Sequence, residues 1–139
     1  MNIQFHFQKK AQLQSRTQLK CFVQSIFKAE KKAFSSLDII FCDDNFLLGI
    51  NKAFLNHHYF TDVISFNLAD KSKPVEGEIY ISIDRVRENA AALNTSIKQE
   101  LHRVIFHGIL HFCGYKDKNN RQQKQIRAKE DHYLGKYFS

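Results

Sequence analysis

A chain of 139 residues with 43% apolar residues, thirteen phenylalanines, no tryptophan and one proline has the size and composition of a single globular domain over residues 1–139 with a phenylalanine-rich core, without linkers, repeats or low-complexity tracts. No apolar run approaches the roughly 20 residues of a membrane span, and the start Met1-Asn2-Ile3-Gln4-Phe5-His6 lacks the basic and apolar regions of a signal peptide, so the expectation is a cytoplasmic protein with no membrane partner. The net charge of +7 is uneven: residues 1–32 carry seven Lys/Arg against one acid, residues 33–97 five against nine, and residues 98–139 nine against four, a pattern of basic ends that suits a polyanion such as RNA.

In chain order, Ile3 to Phe7 alternates apolar and polar residues and reads as a short strand. From Ser15 to Lys32, Leu19, Phe22, Val23, Ile26 and Phe27 recur at helical spacing between lysines, which predicts an amphipathic helix. Leu37 to Cys42 is a β-branched apolar run and reads as a largely buried strand. Asp43 or Asp44 then caps a helix through Asn56 with Phe46, Leu47, Ile50, Phe54 and Leu55 inward. Thr61 to Phe66 and Gly77 to Ile83 read as two strands flanking a polar loop, adjacent as a hairpin. Asp84 caps a helix to Leu93. Ser96 and Gln99 form a capping box for a helix over Ile97 to Cys113, and a last helix runs from Asn120 to Phe138 with Ile126, Ala128, Tyr133, Leu134 and Tyr137 inward. The fold class is therefore α+β, with a small mixed sheet of about four strands, surrounding helices and a buried central helix.

The chemistry concentrates in that central helix. His107 and His111 sit four apart, on one face and about one turn from each other, so both rings can bind one ion. They lie in a run, Val104 to Cys113, that is otherwise apolar apart from Gly108, and two adjacent buried imidazoles need partners for four ring nitrogens, two of which a shared metal would satisfy. Gly114 permits a left-handed turn that brings Asp117 back beside the rings as a third ligand. Gly108 inside the helix costs about 1 kcal/mol against alanine, which implies close packing of a neighbouring backbone. Cys113 points about 160° away from His111 on the helix. With Cys21 and Cys42 it makes an odd, widely spaced set, which excludes a cysteine-rich zinc module and a disulfide framework.

His107 to Asp117 resembles the signature of the YbeY endoribonuclease family, in which a His-Gly-x-Leu-His segment, a Gly-Tyr turn and a final histidine bind zinc. Thr61-Asp62-Val63-Ile64-Ser65-Phe66 is similar to the family's Thr-Asp-Val-Leu-Ser-Phe strand, and Gly77-Glu78-Ile79-Tyr80-Ile81-Ser82 to its Gly-Asp-Ile-x-Ile-Ser strand. The resemblance implies a metal-dependent, single-strand-specific endoribonuclease acting in 16S rRNA maturation and ribosome quality control, with rRNA and the ribosomal subunit as partners. It also implies one divalent ion, zinc first, on His107, His111 and Asp117.

Two positions depart from the family. The third histidine is Asp117, a good oxygen ligand that lowers the charge of the site and opens it to harder divalent ions. The arginine usual before the Thr-Asp-Val strand is Leu55, followed by Asn56, His57 and His58, with Lys52, His57 or His58 as possible stand-ins. No general base stands out. Asp62 reads as a strand-end residue ahead of a catalytic base, and Glu100, seven residues before His107, is too far along the helix. A zinc protease would carry glutamate where Gly108 stands. A non-catalytic, ribosome-associated RNA-binding module with a structural metal is the alternative.

Overall fold

The computed structural model describes residues 2–55 and 61–139. The elements are β1 (Asn2–Phe7), α1 (Arg16–Ala29), β2 (Phe34–Cys42), α2 (Asp44–Ile50) followed by a π-helical turn (Asn51–Leu55), β3 (Val63–Asn67), β4 (Val75–Ser82), α3 (Ile83–Ala92), α4 (Ile97–Phe112) and α5 (Asn120–Tyr137). The sheet order is β1-β2-β4-β3. β1 and β2 are parallel, as are β2 and β4, whereas β3 runs antiparallel to β4 with Ser65 opposite Ile79. The sheet is thus mixed and four-stranded, and the expected hairpin is present.

One sheet face carries the main core. Leu37, Ile39 and Phe41 of β2 alternate with outward residues, as do Val75, Ile79 and Ile81 of β4, and all six are essentially inaccessible. Period-two alternation aims them at α1 and α4. From α1 come Leu19, Val23, Ile26 and Phe27, and from α4 Leu101, Val104, Ile105, Phe106, Ile109 and Leu110. At about 1.5–3 kcal/mol for each large side chain fully buried, this packing fixes α4 against the sheet and so fixes whatever its other face presents. α1 ends at Ala29, before Lys32, because Lys31 turns into left-handed backbone at φ 57°.

Gly108 sits where α4 touches the sheet. A Cβ there would come within 3.0 Å of the Ile79 side chain and 3.2 Å of Ser65 Oγ, which donates a hydrogen bond to the Gly108 carbonyl. Its close neighbours are therefore side chains of β3 and β4, where the sequence suggested a backbone.

Two local readings are corrected. The helix expected to reach Asn56 stops at Ile50 and widens into the π-helical turn; Asn56 itself lies outside the described residues. Of its expected inward residues only Leu47 is buried, while Phe46, Phe54 and Leu55 are exposed. Phe46 meets Tyr80 and Phe54 meets Phe66 on the second sheet face, where Cys42, Leu47 and Ile64 form only a small core. The cap of α3 is Ser82, whose Oγ accepts from Arg85 N. Strand β4 ends there, and Asp84 falls in the first turn, accepting instead from Asp44 N at 3.0 Å. The expected caps of α2 and α4 are present, with Asp43 accepting from Phe46 N and Ser96 from Gln99 N.

Candidate metal centre

The α4 residues opposite the sheet include His107 and His111, both partly exposed. After Phe112 the chain reverses at Gly114, whose φ of +100° is open to glycine and costly for residues with a Cβ. Tyr115 N then bonds to the Leu110 carbonyl, closing the helix. This turn carries Asp117 back over the rings. Its Oδ2 lies 3.2 Å from His107 Nε2 and 3.3 Å from His111 Nε2, and the two Nε2 atoms are 2.9 Å apart. The structure thereby brings together the three residues singled out as ligands, whose donor atoms all fall within 4.8 Å of one another.

Proton positions sharpen the geometry. His111 Nδ1 donates to the Tyr115 carbonyl at 2.9 Å, and His107 Nδ1 lies 2.6 Å from Glu130 Oε2. A carbonyl can only accept, so the His111 proton sits on Nδ1 and its Nε2 is a lone pair. Glu130 fixes His107 the same way, because its carboxyl is held below the usual range: burial would raise it, but His107 and Arg103 outweigh that. Two nitrogen lone pairs and a carboxylate oxygen therefore converge, and only a proton or a cation can satisfy all three. Ligands about 2.1 Å from one tetrahedral ion stand roughly 3.4 Å apart, close to the spacings found. The residues present fit a divalent ion.

Behind the rings is a charged layer. Glu130 of α5 is 2% exposed, and Arg103 donates to it at 2.9 Å as well as to the buried Glu100. Asp62 lies 3.8 Å from Arg103 and accepts from Asn89 at 3.3 Å. Its carboxyl is raised by burial, against the pull of His107 and Arg103. Burial would lower the His107 imidazole, but the hydrogen bond it donates to Glu130 and the charges of Glu130, Asp62 and Asp117 raise it overall.

Glu130 and Arg103 were not singled out in the sequence. A signal for Glu130 exists: Ile126, Glu130, Tyr133, Leu134 and Tyr137 fall on one stripe of α5, so a glutamate occupies an apolar register. Ala128, expected inward, is exposed. Cys113 lies outside the trio, and burial pushes its thiol up to about 12. Glu100 is buried and bound to Arg103. Lys52 is exposed on the π-helical turn, and His57 and His58 lie outside the described residues.

The turn bearing Asp117 is held from its far side. Glu30, at the end of α1, accepts from Tyr115 Oη at 2.8 Å, from Tyr133 Oη and from Lys129 Nζ at 3.3 Å. Burial alone would raise its carboxyl, but these three donors hold it below the ordinary 4.5. A carboxyl lowered on folding contributes stability above its unfolded value, lost as pH falls through the folded one. Glu30→Gln is therefore expected to melt lower than the parent at neutral pH and to converge with it as pH falls through the lowered value of the folded state. A melting series on both proteins checks this, and parallel curves would sink the idea.

A cavity of about 290 Å³ opens beside His107 and Asp117, lined also by Arg103, Gln123, Arg127 and Glu130. Arg103 is committed to carboxylates and 15% exposed, whereas Arg127 is half exposed and 3.6 Å from Glu130. No helix among the described residues is long and apolar enough to cross a membrane.

Comparison with known proteins places this site in context. A family model described as Endoribonuclease YbeY matches residues 3–138. A protein of that name from Cytophaga hutchinsonii is 45% identical over 120 residues, covering 86% of this chain and 84% of the relative. One from Flavobacterium psychrophilum is 44% identical over 134 residues, covering 95% and 94%. The solution structure of a Thermotoga maritima protein superposes with a TM-score of 0.59 over 97% of this chain and 89% of that one, at 24% identity, and supports the fold.

Proposed function

The chain belongs to the endoribonuclease YbeY family, and on that premise we propose that it is a metal-dependent endoribonuclease cutting single-stranded rRNA in the cytoplasm, in 16S maturation and ribosome quality control at the ribosomal subunit. The observation that carries the metal dependence is the convergence of His107 Nε2, His111 Nε2 and Asp117 Oδ2, with both Nδ1 protons engaged elsewhere. A divalent ion on this trio, zinc first, would supply Lewis acidity to the scissile phosphodiester and its attacking oxygen.

The chain's own residues do the rest. Glu130 and the Tyr115 carbonyl hold the imidazoles in the tautomer that presents Nε2. Arg127 lines the same cavity with an exposed guanidinium and is our phosphate contact, taking the part that Leu55 has no charge to play. Gln123, also on the cavity wall, donates from Nε2 to the Asp117 carbonyl at 3.1 Å and so steadies the turn that carries the third ligand. Arg127→Ala is expected to raise KM for RNA roughly tenfold, the value of one charge-assisted hydrogen bond.

A cleavage assay on metal-stripped and reloaded protein tests the proposal. Cleavage that disappears on stripping and returns with zinc supports it. RNA that is bound but never cut after reloading, with a melting point that still depends on zinc, would establish instead the non-catalytic module with a structural metal, which the uncharged Leu55 favours. Asp117→His restores a neutral third ligand. It is expected to tighten zinc at least about tenfold relative to manganese, since imidazole suits zinc and carboxylate suits manganese. Competition titrations check this, and an unchanged zinc-to-manganese ratio would remove Asp117 from the ligand set.

A further inference from the structure

The N-terminal half of α4 borders two cavities that the metal centre does not use. One, of about 330 Å³, lies between α4, α3 and the segment after β1, with Ile83, Val86 and Leu101 as floor and Lys10, Arg87 and Lys98 around it. The second continues toward the end of α5, ending at Tyr137 and Phe138. Gln14, Lys98 and His102 line both, so the two form one groove. Three cations line it and no carboxylate does. The two acids of α3 are engaged elsewhere, Asp84 with Lys9 at 3.6 Å and the Asp44 backbone, and Glu88 with Arg85 at 2.7 Å.

His102 supplies an independent observation. It is 3% exposed, and its Nδ1 donates to the Lys98 carbonyl at 2.7 Å. Its ring lies on Tyr137 at 5.2 Å. Because the Nδ1 proton is committed, Nε2 is an acceptor, and among the described residues it has no hydrogen-bond partner. The ring is buried but Nε2 is reached from the groove it lines, so a ligand N–H can take the place of water on it. Beside it Lys98 Nζ sits 5.7 Å over the ring of Phe138, which is 38% exposed.

We infer that this groove is a second RNA-contacting site, in which a base enters above Ile83, Val86 and Leu101 with an N–H on His102 Nε2, while flanking phosphates engage Lys10, Arg87 and Lys98. The chemistry is that of single-strand recognition, which combines cations along the backbone with an apolar or aromatic platform for the base. His102 and His107 are five residues apart, about 140° round the helix, so the groove and the metal centre open on different faces. An RNA engaging both wraps the helix end. The groove binds substrate at a distance from cleavage and leaves the trio to the chemistry, so it rests on RNA being the substrate but not on the metal doing the cutting.

The test is binding of a fluorescent single-stranded oligoribonucleotide, in EDTA, to the parent and to a variant carrying Lys10→Glu, Arg87→Glu and Lys98→Glu. The variant is expected to raise Kd at least about tenfold and to flatten the slope of log Kd against log salt by about 2, from three lost phosphate contacts at roughly 0.7 each. His102→Phe keeps a buried ring, removes the acceptor, and is expected to raise Kd severalfold at unchanged salt slope. Melting points close to the parent's exclude a trivial loss of fold. Parental Kd and salt slope in the triple variant would overturn the groove, whether or not the parent cuts RNA. Conversely, groove-dependent binding by a protein that never cuts would leave the groove standing and remove the nuclease reading.

Discussion

His111→Ala is expected to weaken zinc binding by more than about 100-fold and to remove RNA cleavage with it. Loss of a residue that merely orients a ligand already costs 10–100-fold in metal affinity, and His111 is read as a ligand, so its removal must cost more. Two donors would remain, His107 Nε2 and Asp117 Oδ2. The fold should tolerate the change: the His111 side chain is 27% exposed, and outside the trio its hydrogen bond goes to the Tyr115 carbonyl, in a turn that Glu30 also holds. A melting point of the metal-free variant within a few degrees of the metal-free parent is therefore part of the expectation. Zinc affinity by competition with a chromophoric chelator is the measurement, and parental affinity in the variant would exclude the trio as the site. Protons should compete for the same lone pairs. Because the His107 imidazole is raised, apparent zinc affinity in the parent falls with acid from a higher pH than an ordinary histidine would give.

What was legible in the sequence was local. The i,i+4 spacing of His107 and His111 fixes their common face once a helix is granted, and Gly114 announces the turn that returns Asp117, because few other residues reach a φ of +100°. The Ser96 cap and the alternation in β4 are short-range signals of the same kind. Elements whose partner lies elsewhere were harder. Phe46, Phe54 and Leu55 have helical spacing, but spacing cannot say whether a core exists for them to face, and on that side of the sheet only a small one does. Glu30 belongs to α1 by sequence and to the Tyr115 turn by contact, across 85 positions. Glu130 bonds to His107 across 23, and a lone glutamate on α5 does not reveal which helix it meets.

Glu130→Ala is accordingly expected to damage both fold and site, by separable amounts. Its carboxylate is 2% exposed and pairs with Arg103 and His107. Truncation strands a guanidinium that is 15% exposed, leaving it Glu100 and the more distant Asp62. Breaking a buried pair in this way costs about 3 kcal/mol, which for a domain of this size lowers the melting point by roughly 10 °C. Separately, His107 loses the acceptor that fixes its tautomer, and zinc affinity should fall 10–100-fold. Glu130→Gln divides the two effects. The amide oxygen can still accept from His107 Nδ1, so zinc affinity should drop less than in the alanine variant, while the lost charge still weakens the Arg103 pair. A double-mutant cycle with His107→Ala completes the separation: if Glu130 acts on the ion only through that ring, its effect on zinc affinity vanishes once the ring is gone, while its effect on melting persists through Arg103. An undiminished zinc effect in the His107→Ala background would mean that Glu130 reaches the ion by another route. Parental zinc affinity in Glu130→Ala itself would reduce the residue to a structural partner of Arg103.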